Sequence, residues 1–129
     1  MKKKVMVDLS ATIIHHGHVR LLKKASRYGN VIVGLTADKE IIKHKKYKPE
    51  LKYEFRKEIL NELKCVSKVV PSNFLITQKF LNKHKIDILI SGGDYKNRKF
   101  KTKTINFDRT KNISSTLIRK KASKIIRKN

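Results

Sequence analysis

An open α/β structure, with a parallel sheet covered by helices on both faces, is the class this sequence predicts. Three observations carry it. Five short runs are almost continuously apolar, as strands buried on two faces are. The stretches between them place apolar residues at helical spacing. The two kinds alternate along the chain, which returns each strand to the sheet through a right-handed crossover.

The first strand is Lys4-Val5-Met6-Val7. A helix follows from His18 to Tyr28, with Val19, Leu22 and Ala25 on one side, Leu21 beside them and Gly29 as its stop. Val31-Ile32-Val33-Gly34-Leu35 is the second strand, and Asp38 to Ile42 a short helix. Tyr53 to Lys64 spaces Phe55, Ile59, Leu60 and Leu63 helically. Lys68-Val69-Val70 is a brief strand ended by Pro71. Asn73 to His84 repeats the helical pattern with Phe74, Ile76, Phe80 and Leu81. Ile86-Asp87-Ile88-Leu89-Ile90 and Thr104-Ile105-Asn106-Phe107 are the last strands. Ser114 to Arg127 closes the chain as a helix carrying Leu117, Ile118, Ala122 and Ile125.

The 129 residues match one domain, 1–129, with no repeat or linker inside it. A lone Cys65 excludes an internal disulfide framework and a thiolate-rich zinc site. No apolar run is long enough to span a bilayer, and Val5-Met6-Val7-Asp8-Leu9 is too short for a signal peptide. A protein of the cytoplasm, without membrane insertion, is expected. The 33 Lys and Arg against 10 Asp and Glu give a net charge of +23, which favours anionic ligands. Nucleic acid is not the expected partner. Lysines outnumber arginines, Trp is absent, and the nine Phe and Tyr are scattered rather than gathered into a stacking platform.

In a sheet of this kind ligands bind beyond the carboxyl ends of the strands. The segments after the strands therefore matter most. After the first comes Ser10-Ala11-Thr12-Ile13-Ile14-His15-His16-Gly17-His18. A helix opening offers free amides to a phosphate, and two imidazoles can donate to its oxygens as charge grows on them. Gly17 lets the backbone approach a ligand. A metal pair on a helix more often sits at i and i+4, and no cysteine or acidic cluster accompanies these histidines. Ser91-Gly92-Gly93-Asp94-Tyr95 suits a loop that wraps a ligand, with Asp94 available to Mg²⁺ or a sugar hydroxyl. Arg109-Thr110-Lys111-Asn112-Ile113-Ser114-Ser115-Thr116 joins N-capping hydroxyls to two cations and makes a second phosphate cradle. Lys45, Lys46 and Lys48 lie in a one-signed loop, and Arg56 sits where it can reach the same edge. No nucleophile–base pair stands out, so a chemistry of positioning and charge stabilisation, such as phosphoryl or nucleotidyl transfer, fits best.

The box His15-His16-Gly17-His18 with the late Arg109 to Thr116 segment resembles the HxGH-type cytidylyltransferases, of which glycerol-3-phosphate cytidylyltransferases are the small members. The register runs essentially ungapped from residue 2 to about residue 119, and Tyr53-Glu54-Phe55-Arg56-Lys57 resembles that family's Tyr-Glu-x-Arg-Lys helix start. Val7-Asp8-Leu9-Ser10-Ala11 before Ile14 looks like a subgroup linked to phosphonate metabolism, whose domains accompany phosphoenolpyruvate phosphomutase.

The resemblance implies a Rossmann-like five-stranded sheet in the order 3-2-1-4-5, a homodimer, CTP, Mg²⁺ and a small phosphorylated or phosphonylated acceptor. It implies that His15, His18, Lys45 and Arg109 carry catalysis. Ser10, Ala11, Gly17, Gly92, Asp94, Thr110, Ser114 and Ser115 would bind the nucleotide, Asp94 also the metal. Lys46, Lys48, Arg56 and Lys64 would bind the acceptor or its phosphate, with Lys46 or Lys48 replacing a family lysine that falls at Tyr47. The family's Gly-Thr-Phe-Asp reads Leu9-Ser10-Ala11-Thr12 here, so its acid is gone. Gly93 replaces another acid, and Asn112 replaces a glycine in a turn that Asn tolerates. An adenylyltransferase of the same superfamily, or a basic nucleic-acid- or membrane-binding module that has lost the reaction, are the alternatives.

Overall fold

The computed structural model describes residues 2–92 and 98–128. The elements are β1 (Lys4–Leu9), α1 (His16–Ser26), β2 (Asn30–Thr36), α2 (Asp38–Lys45), α3 (Tyr53–Asn61), β3 (Lys68–Ser72), α4 (Gln78–Lys83), β4 (Ile88–Ser91), β5 (Lys103–Asn106) and α5 (Ser115–Lys128). All four strand pairings are parallel, and the order is β3-β2-β1-β4-β5. Val5 at the centre pairs with Val31 on one side and Ile88 on the other. The chain builds outward from β1 to β3, then returns and builds the other way through β4 and β5. The strand order thus reverses between β1 and β4, where ligands bind in such sheets.

Alternation along β1 explains the two-sided burial. Val5, Val7 and Leu9 join Leu22 and Ala25 of α1 and Leu60 of α3 on one face. Met6 faces the other way, with Ile32, Val70, Ile76, Leu81 and Leu89. Continuous apolar strands follow directly from this arrangement.

Three elements differ from expectation. The helix read from Asn73 to His84 begins only at Gln78, because the Thr77 hydroxyl accepts the Phe80 amide and caps it there. Phe74 instead stacks on His44 with ring centroids 4.6 Å apart, and its amide donates to Glu40. Pro71 lies inside β3 rather than after it, opposite Leu35, which an edge strand tolerates. In α3 the apolar spacing misassigns the inner face: Phe55 and Ile59 are exposed, whereas Arg56 and Leu60 are buried.

Arg56 has no solvent exposure. Its Nε–H donates to the Leu51 carbonyl at 3.0 Å, and Nη1 donates to the carbonyls of Ser10 at 2.7 Å and Thr36 at 3.0 Å. Nη2 donates to Asp38 Oδ1 at 2.6 Å. Asp38 in turn accepts the first amide of α3, from Tyr53, at 3.0 and 3.1 Å. One side chain therefore joins the carboxyl ends of β1 and β2 to the starts of α2 and α3. Among the described residues no helix is long and apolar enough to cross a membrane. Replacing Arg56 by Met keeps volume but removes the donors from three carbonyls, that of Thr36 in a buried bond, and the cation from Asp38. Urea denaturation should show a loss of about 3 kcal/mol. A loss under about 1 kcal/mol would mean that the loops hold themselves.

Candidate active site

His15 is the N-cap of α1, in extended conformation. Its Nδ1 accepts the Gly17 amide at 3.1 Å, and its own amide donates to His18 Nδ1 at 3.1 Å. This reciprocal capping is usually made by a hydroxyl and a carboxamide or carboxylate. Here two imidazoles perform it, stacked with centroids 3.8 Å apart. Both Nδ1 atoms are acceptors, so each neutral ring carries its proton on Nε2. Burial, then the neighbouring charges of His15 and Lys45, lowers the His18 pKa from 6.5 to about 3. Burial and His16 also lower that of His15. Near neutral pH the pair presents two N–H donors without charge. The pair also requires glycine at position 17, since a Cβ there would stand 2.8 Å from the His15 ring.

The second helix opening meets the first. Ser114 caps α5 by accepting the Leu117 amide at 3.0 Å. The Ser115 hydroxyl accepts the Ile13 amide at 3.2 Å and donates to the Ile13 carbonyl at 2.9 Å. One hydroxyl thus pairs with both backbone polar groups of Ile13 and binds the β1–α1 loop to α5. Asn112 takes φ 63°, the left-handed turn expected of it. Ala11 takes φ 44° while buried, at a cost of about 1 kcal/mol. Arg109 Nε–H donates to the Gly92 carbonyl at 3.3 Å, which joins the late segment to the end of β4.

A cleft opens between these parts. Its lining brings together Ser10, Ala11, His15, Gly17, His18, Lys45, Gly92, Arg109, Thr110, Ser114 and Ser115, as the sequence suggests. Four expectations need correction. Arg56 lies beneath the cleft with four of its five N–H donors committed to protein, so it shapes the floor and is not presented to an acceptor. Lys46 and Lys48 are exposed and outside the lining; Lys46 is the left-handed cap of α2, and the wall position belongs to Tyr47. Lys64 lies between α3 and β3, at the amino end of the sheet, away from this cleft. The Ser115 side chain holds Ile13, which leaves the amides of the α5 opening as its contribution to a nucleotide site. Asp94 lies outside the described residues. Among those described, no group of three or more His, Cys, Asp or Glu could hold a metal.

The sequence reading missed Arg119. Its Nε–H donates to Glu50 Oε2, and Nη2 donates to Glu50 Oε1 at 2.7 Å and to the buried Thr12 hydroxyl at 3.3 Å. Its guanidinium lies 4.4 Å from the centroid of the Tyr47 ring. The hydrogen bond from Arg119 holds the Glu50 pKa below its ordinary value. The available signal was its place four residues after Ser115, on the same side of the helix.

Residues 10–121 match the cytidylyltransferase-like family model. The chain is 36% identical over 124 residues to the glycerol-3-phosphate cytidylyltransferase of Bacillus spizizenii, covering 92% of this chain and 95% of that one. It is 34% identical over 93 residues to the ethanolamine-phosphate cytidylyltransferase of Mus musculus, covering 70% of this chain and 23% of that one. Among solved structures, the lipopolysaccharide core biosynthesis protein of Thermoplasma volcanium GSS1 superposes with a TM-score of 0.73 at 20% identity, covering 85% of this chain and 99% of that one. At that identity the likeness speaks for the fold.

The depressed His18 pKa has a sign that can be checked. The unfolded imidazole binds a proton below pH 6.5, while the folded one resists it until about 3. Its contribution to stability is therefore complete above 6.5 and is lost as pH falls through that window. The melting temperature should drop from pH 7 to about pH 5. His18→Asn, whose Oδ1 can still accept the His15 amide, should flatten that slope. Equal slopes in the two proteins would assign the acid sensitivity to other groups.

Proposed function

The chain belongs to the cytidylyltransferase-like family of CTP-dependent nucleotidyltransferases, and from that premise we propose that it transfers CMP to a small phosphate- or phosphonate-bearing alcohol. The acceptor's oxygen attacks the α-phosphorus of CTP in line. The bond from that phosphorus to the α–β bridging oxygen breaks, and pyrophosphate leaves with its electron pair. No covalent enzyme intermediate is needed, because positioning and charge stabilisation carry such a reaction.

The observation behind this reading is the Ser115–Ile13 tie, which sets two amide-rich helix openings side by side along one rim, the first of them capped by His15 and His18. In this assignment the Nε2–H groups of His15 and His18 donate to the phosphate oxygens, where bonds strengthen as charge accumulates. Arg109 and Lys45, both in the lining of the cleft, face the departing phosphates. Thr110, Ser114 and Gly92 place the nucleotide on the β4–β5 side. The acceptor then occupies the β2 side, against Thr12, Lys45 and Tyr47.

Mg²⁺ would arrive with the triphosphate and neutralise charge on the leaving pyrophosphate. A cation bound largely by phosphate oxygens and water needs only one or two carboxylates, which fits a cleft with no ligand cluster among its described residues. The same reading extends to a cytoplasmic homodimer. Phe55 and Ile59, exposed and apolar at i and i+4 on α3, form a face that a second copy would cover.

A pyrophosphate-release screen tests the whole. It sets four nucleoside triphosphates against glycerol 3-phosphate, phosphocholine, phosphoethanolamine and 2-aminoethylphosphonate. Release with CTP and one of these acceptors is expected; ATP as the sole active nucleotide would overturn the assignment. His18→Ala should lower turnover at least about a hundredfold with folding intact. Near-normal activity would remove His18 from the mechanism. Arg109→Ala should weaken CTP binding in calorimetry, and unchanged affinity would refute its role.

A further inference from the structure

Resting on that reaction, we propose that Arg119 sets the acceptor specificity: it disarms the groups that would hold an ammonium and so reserves the site for an acceptor with a neutral, hydroxylated end. Two kinds of side chain recognise an organic ammonium, carboxylates and the faces of aromatic rings. Tyr47 lines the β2-side wall, and Glu50 lies outside the lining, joined to that wall through Arg119. Arg119 pairs with Glu50 and covers one face of Tyr47. The two Glu50 oxygens accept its Nε and Nη2 protons, and the guanidinium covers the Tyr47 ring at 4.4 Å. Thr12, which lines the cleft, accepts from the same Nη2 at 3.3 Å. Its hydroxyl hydrogen is then left to donate to a group other than Arg119.

The remaining charge on this wall is the ammonium of Lys45, which attracts the acceptor's phosphate and repels a second cation. Asp8, the carboxylate among the described lining residues, accepts from Ser72 at 3.4 Å, toward β3. A hydroxylated acceptor end finds Thr12 and Tyr47 as hydrogen-bond partners, whereas an ammonium end on this wall finds the Glu50 charge already paired, and among the described lining residues only Asp8, on the β3 side, offers a carboxylate.

Arg119 touches neither substrate in this arrangement and acts through Thr12, Tyr47 and Glu50. It is a positioning residue, and its signature is a change in ratio rather than in rate. With CTP saturating, kcat/KM for glycerol 3-phosphate should exceed that for phosphocholine by at least about tenfold in the wild type. Arg119→Ala frees the Glu50 carboxylate and the Tyr47 face, and should move the ratio about tenfold toward phosphocholine. Glu50→Ala leaves Arg119 uncompensated and should move the ratio in the opposite direction. It also decides the matter if Arg119→Ala does not fold. A merely structural role would depress both acceptors alike in both variants, and ratios unchanged in that way would overturn the proposal. A wild-type preference for phosphocholine would overturn it as well. Absence of pyrophosphate release with both acceptors would instead sink the transfer reaction, and this inference with it.

Discussion

One buried guanidinium organises the ground on which the site stands. Arg56 is wholly enclosed, yet it satisfies carbonyls from three separate segments and pairs with Asp38. A buried charge survives only when its hydrogen bonds are satisfied, so the segments must converge on it for the fold to form. That requirement fixes where β1 and β2 end and where α2 and α3 begin. Ser10 can then turn the chain into the cleft, and Lys45 at the end of α2 and Tyr47 just beyond its cap can face it. The strained backbone at Ala11 sits directly beside this anchor, where surrounding contacts hold it in place.

Above that floor the site is assembled from helix ends instead of from a nucleophile. Reciprocal capping by His15 and His18 performs two tasks with the same atoms. It satisfies orphan amides at the α1 opening, and it directs both ring protons to Nε2. Burial then keeps the rings uncharged, so the pair donates without adding repulsion to an already cationic protein. The Ser115 hydroxyl holds α5 against the loop that precedes α1, which makes the separation of the two openings a property of the fold.

The fold was legible in the sequence for a plain reason. Strands covered on both faces must be apolar throughout, and five such runs separated by helical spacing leave little choice of architecture. The histidine box and the Arg109 to Ser115 segment were legible because their chemistry is local: each is a helix opening with polar groups in consecutive positions. The misreadings have physical causes too. Phe55 and Ile59 have the spacing of core residues, but Arg56 takes the inner face because it carries hydrogen bonds that an apolar side chain could not make. Phe74 was assigned to a helix that Thr77 starts later, and it serves as a ring partner for His44.

By itself the sequence determined the alternation of strands and helices and the two polar helix openings at one edge of the sheet. Each of these follows from neighbours in the chain. Only tertiary structure decided the fates of the isolated cations, because a lysine or arginine carries no local mark of what it will meet. Folding took Arg56 into the interior, sent Lys64 to the far end of the sheet, left Lys46 and Lys48 to solvent, and brought Arg119 across 69 positions to Glu50. A charged side chain acquires its role from the partners that packing delivers, and those partners here come from segments remote in sequence.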